Sequence, residues 1–112
     1  MPTDAEDTKL VTLARASRAR TRAAQGAAVR DLDGRTYAAA SVHLAHLQLS
    51  APAVAVAMAV SSGARGLEAA VLCTDAESAE RPDLDALRDL GGTGVPVLLV
   101  DAAGALRSSI ST

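Results

Sequence analysis

The stretch from Leu67 to Asp101 does most to limit what this chain can become. "LEAAVLCTD" is a short, nearly continuous apolar run, the pattern of a strand covered on both faces. "RPDLDALRDLGG" follows it, with Pro82 at its start and Gly91 after its end, and predicts a short helix. "VPVLLVD" then reads as a second buried strand. A strand, a helix and a strand in that order predict a right-handed parallel crossover, hence an α/β fold. "DAAG" turns the chain into "ALRSSIST", and so short a connection permits only an antiparallel last strand.

The earlier half supplies the remaining elements. "TDAE" at Thr3 to Glu6 has capping-box spacing, which predicts a helix that starts at Asp4, runs through Leu10, Leu13 and Ala14, and ends near Ala23 with cations at its negative end. Gly26 releases the chain into "GAAVRDLDGRTYAAASVHL", where apolar, β-compatible runs flank "DLDG" and Asp33 and Gly34 supply a hairpin turn. Because Ala is a poor strand former, that hairpin rests on its turn more than on propensity. "SAPAVAVAMAVSSG" alternates Ala with Val as a strand would, yet its punctuation is helical. Ser50 suits the N-cap, Pro52 falls in the first turn and Gly63 suits the left-handed position after the last turn. With apolar side chains on every side, this helix is expected to be buried all round, in the core and against a subunit neighbour.

Composition decides what kind of core is available. The 112 residues fit one domain, 1–112; 49% are hydrophobic, but Phe and Trp are absent, Tyr37 is the only aromatic residue and 26 positions are Ala. Small aliphatic side chains bury little area each, which favours further burial by association into a dimer or tetramer through the Ala51 to Val60 helix. The formal net charge of −2 argues against a globally basic nucleic-acid surface. Lys9, Arg15, Arg18, Arg20 and Arg22 form a basic cluster, and Asp75, Glu77, Glu80, Asp83, Asp85 and Asp89 an acidic one. Both read first as solvated helix faces and second as partner surfaces, the Arg-rich helix then meeting an acidic partner such as RNA. A lone cysteine, Cys73, excludes an internal disulfide and a multi-cysteine zinc cage, and on a buried strand it behaves as a small hydrophobe. "MPTDAEDTKL" has no signal-peptide pattern, and Ala51 to Val60 is too short to span a bilayer, so a cytoplasmic protein is expected.

The order helix, hairpin, helix, strand, helix, strand, strand resembles the cytidine deaminase fold over essentially the whole chain. "GAAVRDLDGRTYAAA" is similar to that family's GAA, strand, DGR, strand segment, and "AVAMAVSSGARGLEAAVLCTD" to its core helix and the strand that follows. The resemblance implies a three-layer α/β/α domain with a five-stranded mixed sheet. It also implies where chemistry would reside. The family holds zinc and a proton-shuttling Glu with Cys-Ala-Glu or His-Ala-Glu at the start of the core helix and Pro-Cys-x-x-Cys at the start of the next. Here those motifs fall on Ser50, Ala51 and Pro52, and on Pro82, Asp83, Leu84, Asp85 and Ala86. The three ligand positions thus hold Ser50, Asp83 and Ala86, and the proton-shuttle position holds Pro52. Serine is a poor zinc ligand, Ala86 offers no donor, Asp83 alone binds zinc weakly, and Pro52 cannot titrate.

The substrate side is altered as well. The family's ribose-binding Asn-x-Glu pair corresponds to Ser41 and His43, and its aromatic residue before the first strand to Ala23. His43, His46, Ser50 and Asp83 could be drawn as a replacement metal or Ser-His-Asp site, but Ser50 and Asp83 are each accounted for as helix caps and the two histidines need not share a face. "GGTG" follows a helix and precedes a strand, the reverse of a phosphate-binding loop. The expectation is therefore a catalytically inactive, zinc-free and cofactor-free member of the cytidine deaminase-like superfamily, acting as an oligomeric binding or regulatory scaffold. A nucleoside or nucleotide sensor using a vestigial pocket is the alternative, with Ser41, His43, Ser50 and Asp83 as candidate ligand contacts and a pyrimidine compound as the ligand. A divergent deaminase comes last.

Overall fold

In a computed structural model that describes residues 4–112, five strands form one mixed sheet between three helices. The elements are α1 (Ala5–Thr21), β1 (Gln25–Asp31), β2 (Thr36–Ala40), β3 (Val42–His43), β4 (Gln48–Leu49), α2 (Ala51–Ser61), β5 (Leu67–Thr74), α3 (Arg81–Gly91), β6 (Pro96–Val100) and β7 (Leu106–Ser111). The sheet order is β2-β1-β5-β6-β7, and only β5 and β6 run parallel. This is the crossover expected from Leu67 to Asp101, and β7 returns antiparallel as the short turn requires. The three layers and the five-stranded mixed sheet match the expected fold class. The sequence reading missed β3 and β4, which pair as a separate two-stranded ribbon.

Strand alternation distributes the small side chains between two cores. Ala27, Val29, Ala70, Leu72, Val97 and Leu99 point to the face covered by α2 and α3, where Ala51, Ala55, Ala59 and Leu87 meet them. Ala28, Ala69, Val71, Cys73 and Val100 point to the opposite face, under Leu10, Val11 and Ala14 of α1. Leu10 and Val11 are at most 1% exposed, and burial of each stabilises the domain by roughly 1.5–3 kcal/mol. Close approach compensates for the missing aromatics. A Cβ on Gly26 would land on the carbonyl oxygen of Ala14, so α1 lies directly on the start of β1 only because that residue is glycine.

The ends of the elements are held by local hydrogen bonds. Asp4 caps α1 by accepting the N–H groups of Glu6 and Asp7; the Thr3 end of the capping-box expectation lies outside the described residues. In the β1–β2 turn Asp31 Oδ1 accepts the N–H of Asp33 and of Arg35 at 2.9 Å each, while Oδ2 accepts the Tyr37 hydroxyl at 2.9 Å. Burial alone would raise the Asp31 pKa, but the Tyr37 bond, then the two backbone donors, outweigh it and hold the carboxyl below its ordinary value. On the α1 side, burial opposes the Arg30 charge, yet hydrogen bonds to Asp7 and Glu68 at 3.1 Å more than offset it and raise the guanidinium pKa.

Within one chain α2 is covered on one side only: Ala51, Pro52, Ala55 and Ala59 are buried, while Met58 is 40% and Val60 54% exposed, because the sheet reaches only one side of a helix. One expectation needs correction. Asp83 does not cap α3. Glu80 occupies the N-cap position without a side-chain bond, and Asp83 lies three residues further on, in the first turn, where an acidic group is favoured by the helix dipole.

Candidate functional site

A cleft of about 590 Å³ opens where the end of α1, the end of β2, the β3–β4 ribbon and the start of α2 converge. Each wall follows from a local feature of the sequence. α1 stops at Thr21 because Arg22 takes the left-handed conformation, φ 54° and ψ 38°, while its N–H donates to Ala19 and the N–H of Ala23 to Arg18, the paired bonds of a Schellman motif. Among the described residues Arg22 is the only non-glycine with positive φ. Arg18 then fixes the corner: its guanidinium donates to the Ala23 carbonyl at 3.3 Å, to Asp75 at 2.9 Å and to the Cys73 sulfur at 3.8 Å. The bond to Asp75, then that to Cys73, raises the Arg18 pKa above its ordinary value. Cys73 is buried, as its place on a strand implied, and donates to the Asp101 carbonyl.

The opposite wall is built from the chain between β2 and α2. Ser41 accepts the Gln25 N–H at 3.2 Å, which ties the end of β2 to the start of β1. β3 and β4 then pair Val42 with Leu49 and His43 with Gln48, and Leu44 N–H donates to the Leu47 carbonyl across their turn. Ser50 caps α2 as expected, its Oγ accepting the Ala53 N–H at 3.2 Å. The first turn of α2 has no free donor left for a ligand. Ala51 N–H goes to the Gln25 side chain at 3.3 Å, Pro52 has none, and the Val54 N–H bonds back to the Ser50 carbonyl.

The cleft brings together three of the four candidate contacts. Ser41, His43 and Ser50 line it, with Thr21, Arg22, Ala23, Ala24, Val42, Gln48 and Leu49. Asp83, the fourth, is buried on α3 and does not line it. His46 lies in the β3–β4 turn and does not join His43 there. Tyr37 is turned away, with its hydroxyl on Asp31. Gln48 was missed by the sequence reading, and Arg22 was placed only in the basic cluster of α1, not in a cleft. Two-residue strands carry no periodicity to detect, and an arginine near the end of a helix looks like an ordinary dipole partner.

The donor set does not fit the zinc that the fold family implies. Of the three positions that the resemblance assigns to ligands, Ser50 Oγ is already engaged as a cap and Ala86 has no donor, which leaves Asp83 as a single carboxylate. Among the described residues no three His, Cys, Asp or Glu side chains are grouped to hold a metal ion. Pro52, at the position that the resemblance assigns to the proton carrier, can neither accept nor release a proton.

Comparison with known proteins agrees with this architecture. A family model described as cytidine deaminase-like matches residues 3–104, and the chain belongs to that family. Solved cytidine deaminases have the same fold. The enzyme from Burkholderia pseudomallei superposes with a TM-score of 0.77 at 21% identity, covering 93% of this chain and 89% of that one. The enzyme from Mycobacterium leprae gives 0.73 at 21% identity, over 86% and 89% of the two chains. That from Mycobacterium tuberculosis gives 0.73 at 23% identity, over 84% and 85%. No curated protein sequence matches the chain. Among the described residues no helix is long and apolar enough to cross a membrane.

Proposed function

We propose that this protein is a catalytically inactive member of the cytidine deaminase-like family, a pseudoenzyme that retains the family's cleft as a binding site for a small polar molecule. The observation that carries the reading is the pairing of an open cleft with an emptied chemical centre. Ser41, His43, Gln48 and Ser50 face a space of a size suited to a small ligand. Pro52 meanwhile replaces the group that would move a proton. A cleft filled by alanine side chains would have favoured a plain scaffold; this one is open, with polar side chains beside Ala23, Ala24, Val42 and Leu49.

A second observation favours assembly into a homo-oligomer through α2. That helix carries no charged residue, and Met58 and Val60 expose apolar surface, as do Leu44, Leu47 and Leu49 of the neighbouring ribbon. Such a face gains stability when covered by a second copy. A cytoplasmic setting belongs to the same proposal. Size-exclusion chromatography with light scattering should give a dimer or tetramer at micromolar concentration, and Val60→Asp should shift it toward monomer. A monomer in the unaltered protein would remove the oligomer.

The ligand reading is tested by thermal-shift measurements on the tag-free protein with nucleosides, nucleotides, bases and sugar phosphates. A ligand that binds the folded state alone must raise its apparent stability. A saturable shift is expected with at least one of these compounds. Flat curves for all of them, at millimolar concentration, would return the protein to a scaffold role.

A further inference from the structure

Of the polar side chains lining the cleft none is a carboxylate, and all but Thr21, whose hydroxyl already donates to the Ser17 carbonyl at 2.9 Å, have a hydrogen-bond donor to offer. Arg22 and Gln48 have N–H donors, and His43 has at least one. The two serines are biased the same way. Ser41 Oγ already accepts from Gln25 and Ser50 Oγ from Ala53, so each has its O–H proton to offer the cleft. A donor-rich cavity with a fixed positive charge suits an anion.

Arg22 gives the second, independent indication. It occupies the left-handed position of a Schellman motif, where glycine is the unstrained choice. The same motif ends α2, with Ala64 N–H on Ala59 and Gly63 N–H on Val60, and there the left-handed residue is glycine, φ 95°. Arginine at the equivalent point of α1 takes a conformation that glycine adopts without cost. The Arg22 side chain is exposed and has no ion pair among the described residues, whereas Arg18, one turn earlier, is held by Asp75. A strained residue at the edge of a cavity, with its guanidinium not engaged by a carboxylate, leaves that charge available to a ligand.

We propose that the cleft takes a small phosphomonoester carrying hydroxyl groups, with Arg22 and His43 on the phosphate and Ser41, Gln48 and Ser50 within reach of the remainder. The inference rests on the reading of the cleft as a ligand site and adds the chemical class. An aromatic base is not the feature recognised, because His43 is the only ring in the lining.

Isothermal titration calorimetry with ribose 5-phosphate, ribose, cytidine and inorganic phosphate tests it, on the unaltered protein and on Arg22→Gly and His43→Gln. Arg22→Gly relieves the backbone, so a loss of binding there cannot be ascribed to misfolding. Ribose 5-phosphate should bind at least tenfold more tightly than ribose or cytidine, and Arg22→Gly should weaken it about tenfold, the scale of one charge-assisted contact. Affinity should also fall as salt is raised. Ribose or cytidine binding as tightly as ribose 5-phosphate, or an unchanged affinity in Arg22→Gly, would overturn the phosphomonoester and leave the cleft as a neutral-ligand site. Inorganic phosphate equalling ribose 5-phosphate would overturn the ester and leave a free-anion site. No binding by any of the four would overturn the phosphomonoester outright; the ligand reading itself falls only if the wider thermal-shift panel is also flat.

Discussion

Replacing Arg22 by glycine should make the protein more stable while removing a side chain from its cleft. The left-handed conformation costs a non-glycine residue about 1–2 kcal/mol. Against that, glycine enlarges the conformational freedom of the unfolded chain and returns roughly 0.5–1 kcal/mol of the gain. The net stabilisation is about 0.5–1 kcal/mol. For a domain near this size each kcal/mol corresponds to about 4–8 °C, so the melting temperature should rise by a few degrees. Urea unfolding at one fixed protein concentration should show a higher midpoint with an unchanged slope. Arg22→Ala is the control, since it removes the charge but keeps the left-handed penalty, and it should leave the midpoint near the original. A lower midpoint for Arg22→Gly would show that the side chain holds the corner in place. An equal gain for Arg22→Ala would assign the effect to repulsion within the arginine-rich end of α1. Either result would refute the backbone argument.

Three further outcomes follow from particular contacts. Gly26→Ala should destabilise by about 1–3 kcal/mol, because the added Cβ falls on the Ala14 carbonyl and 2.8 Å from the Arg18 Cβ, and α1 must lift from β1; an unchanged melting temperature would contradict that close approach. Ser50→Ala should cost about 1 kcal/mol through loss of the α2 cap, with Ser50→Asp restoring most of it in the same denaturation series. The lowered pKa of Asp31 ties stability to pH: its contribution is complete above the unfolded Asp pKa, about 3.9, and is lost as pH falls through the lower folded value. Tyr37→Phe removes one of the bonds that lower it, so stability plotted against pH in the acid range should be flatter for that variant. Identical acid slopes would mean that the Tyr37 hydroxyl does not stabilise the charged carboxylate.

The elements legible in the sequence were those in which pattern and punctuation agree. The crossover from β5 through α3 to β6 combines two apolar runs with Pro82 and Gly91, and β1–β2 is fixed by a turn whose Asp31, Asp33 and Gly34 act as turn residues do. α2 was legible despite its Ala-Val alternation, because Ser50, Pro52 and Gly63 leave no strand reading consistent. The cleft was legible only in part. Ser41, His43 and Ser50 could be placed by resemblance to the deaminases, but their meeting depends on the β3–β4 ribbon, whose strands are two residues each. Asp83 misled in the opposite direction. An acidic residue just after a proline reads as a cap, yet the register of α3 is set one turn earlier, at Glu80. The role of Arg22 depends on its φ, and composition holds no signal for that.

Equilibrium dialysis of the tag-free protein against micromolar zinc, followed by elemental analysis, addresses the central claim most directly. With Ser50 capping α2, Ala86 without a donor and Pro52 in the place of the proton carrier, retained zinc should stay far below one ion per chain. One tightly held zinc per chain would contradict the account of an emptied metal centre.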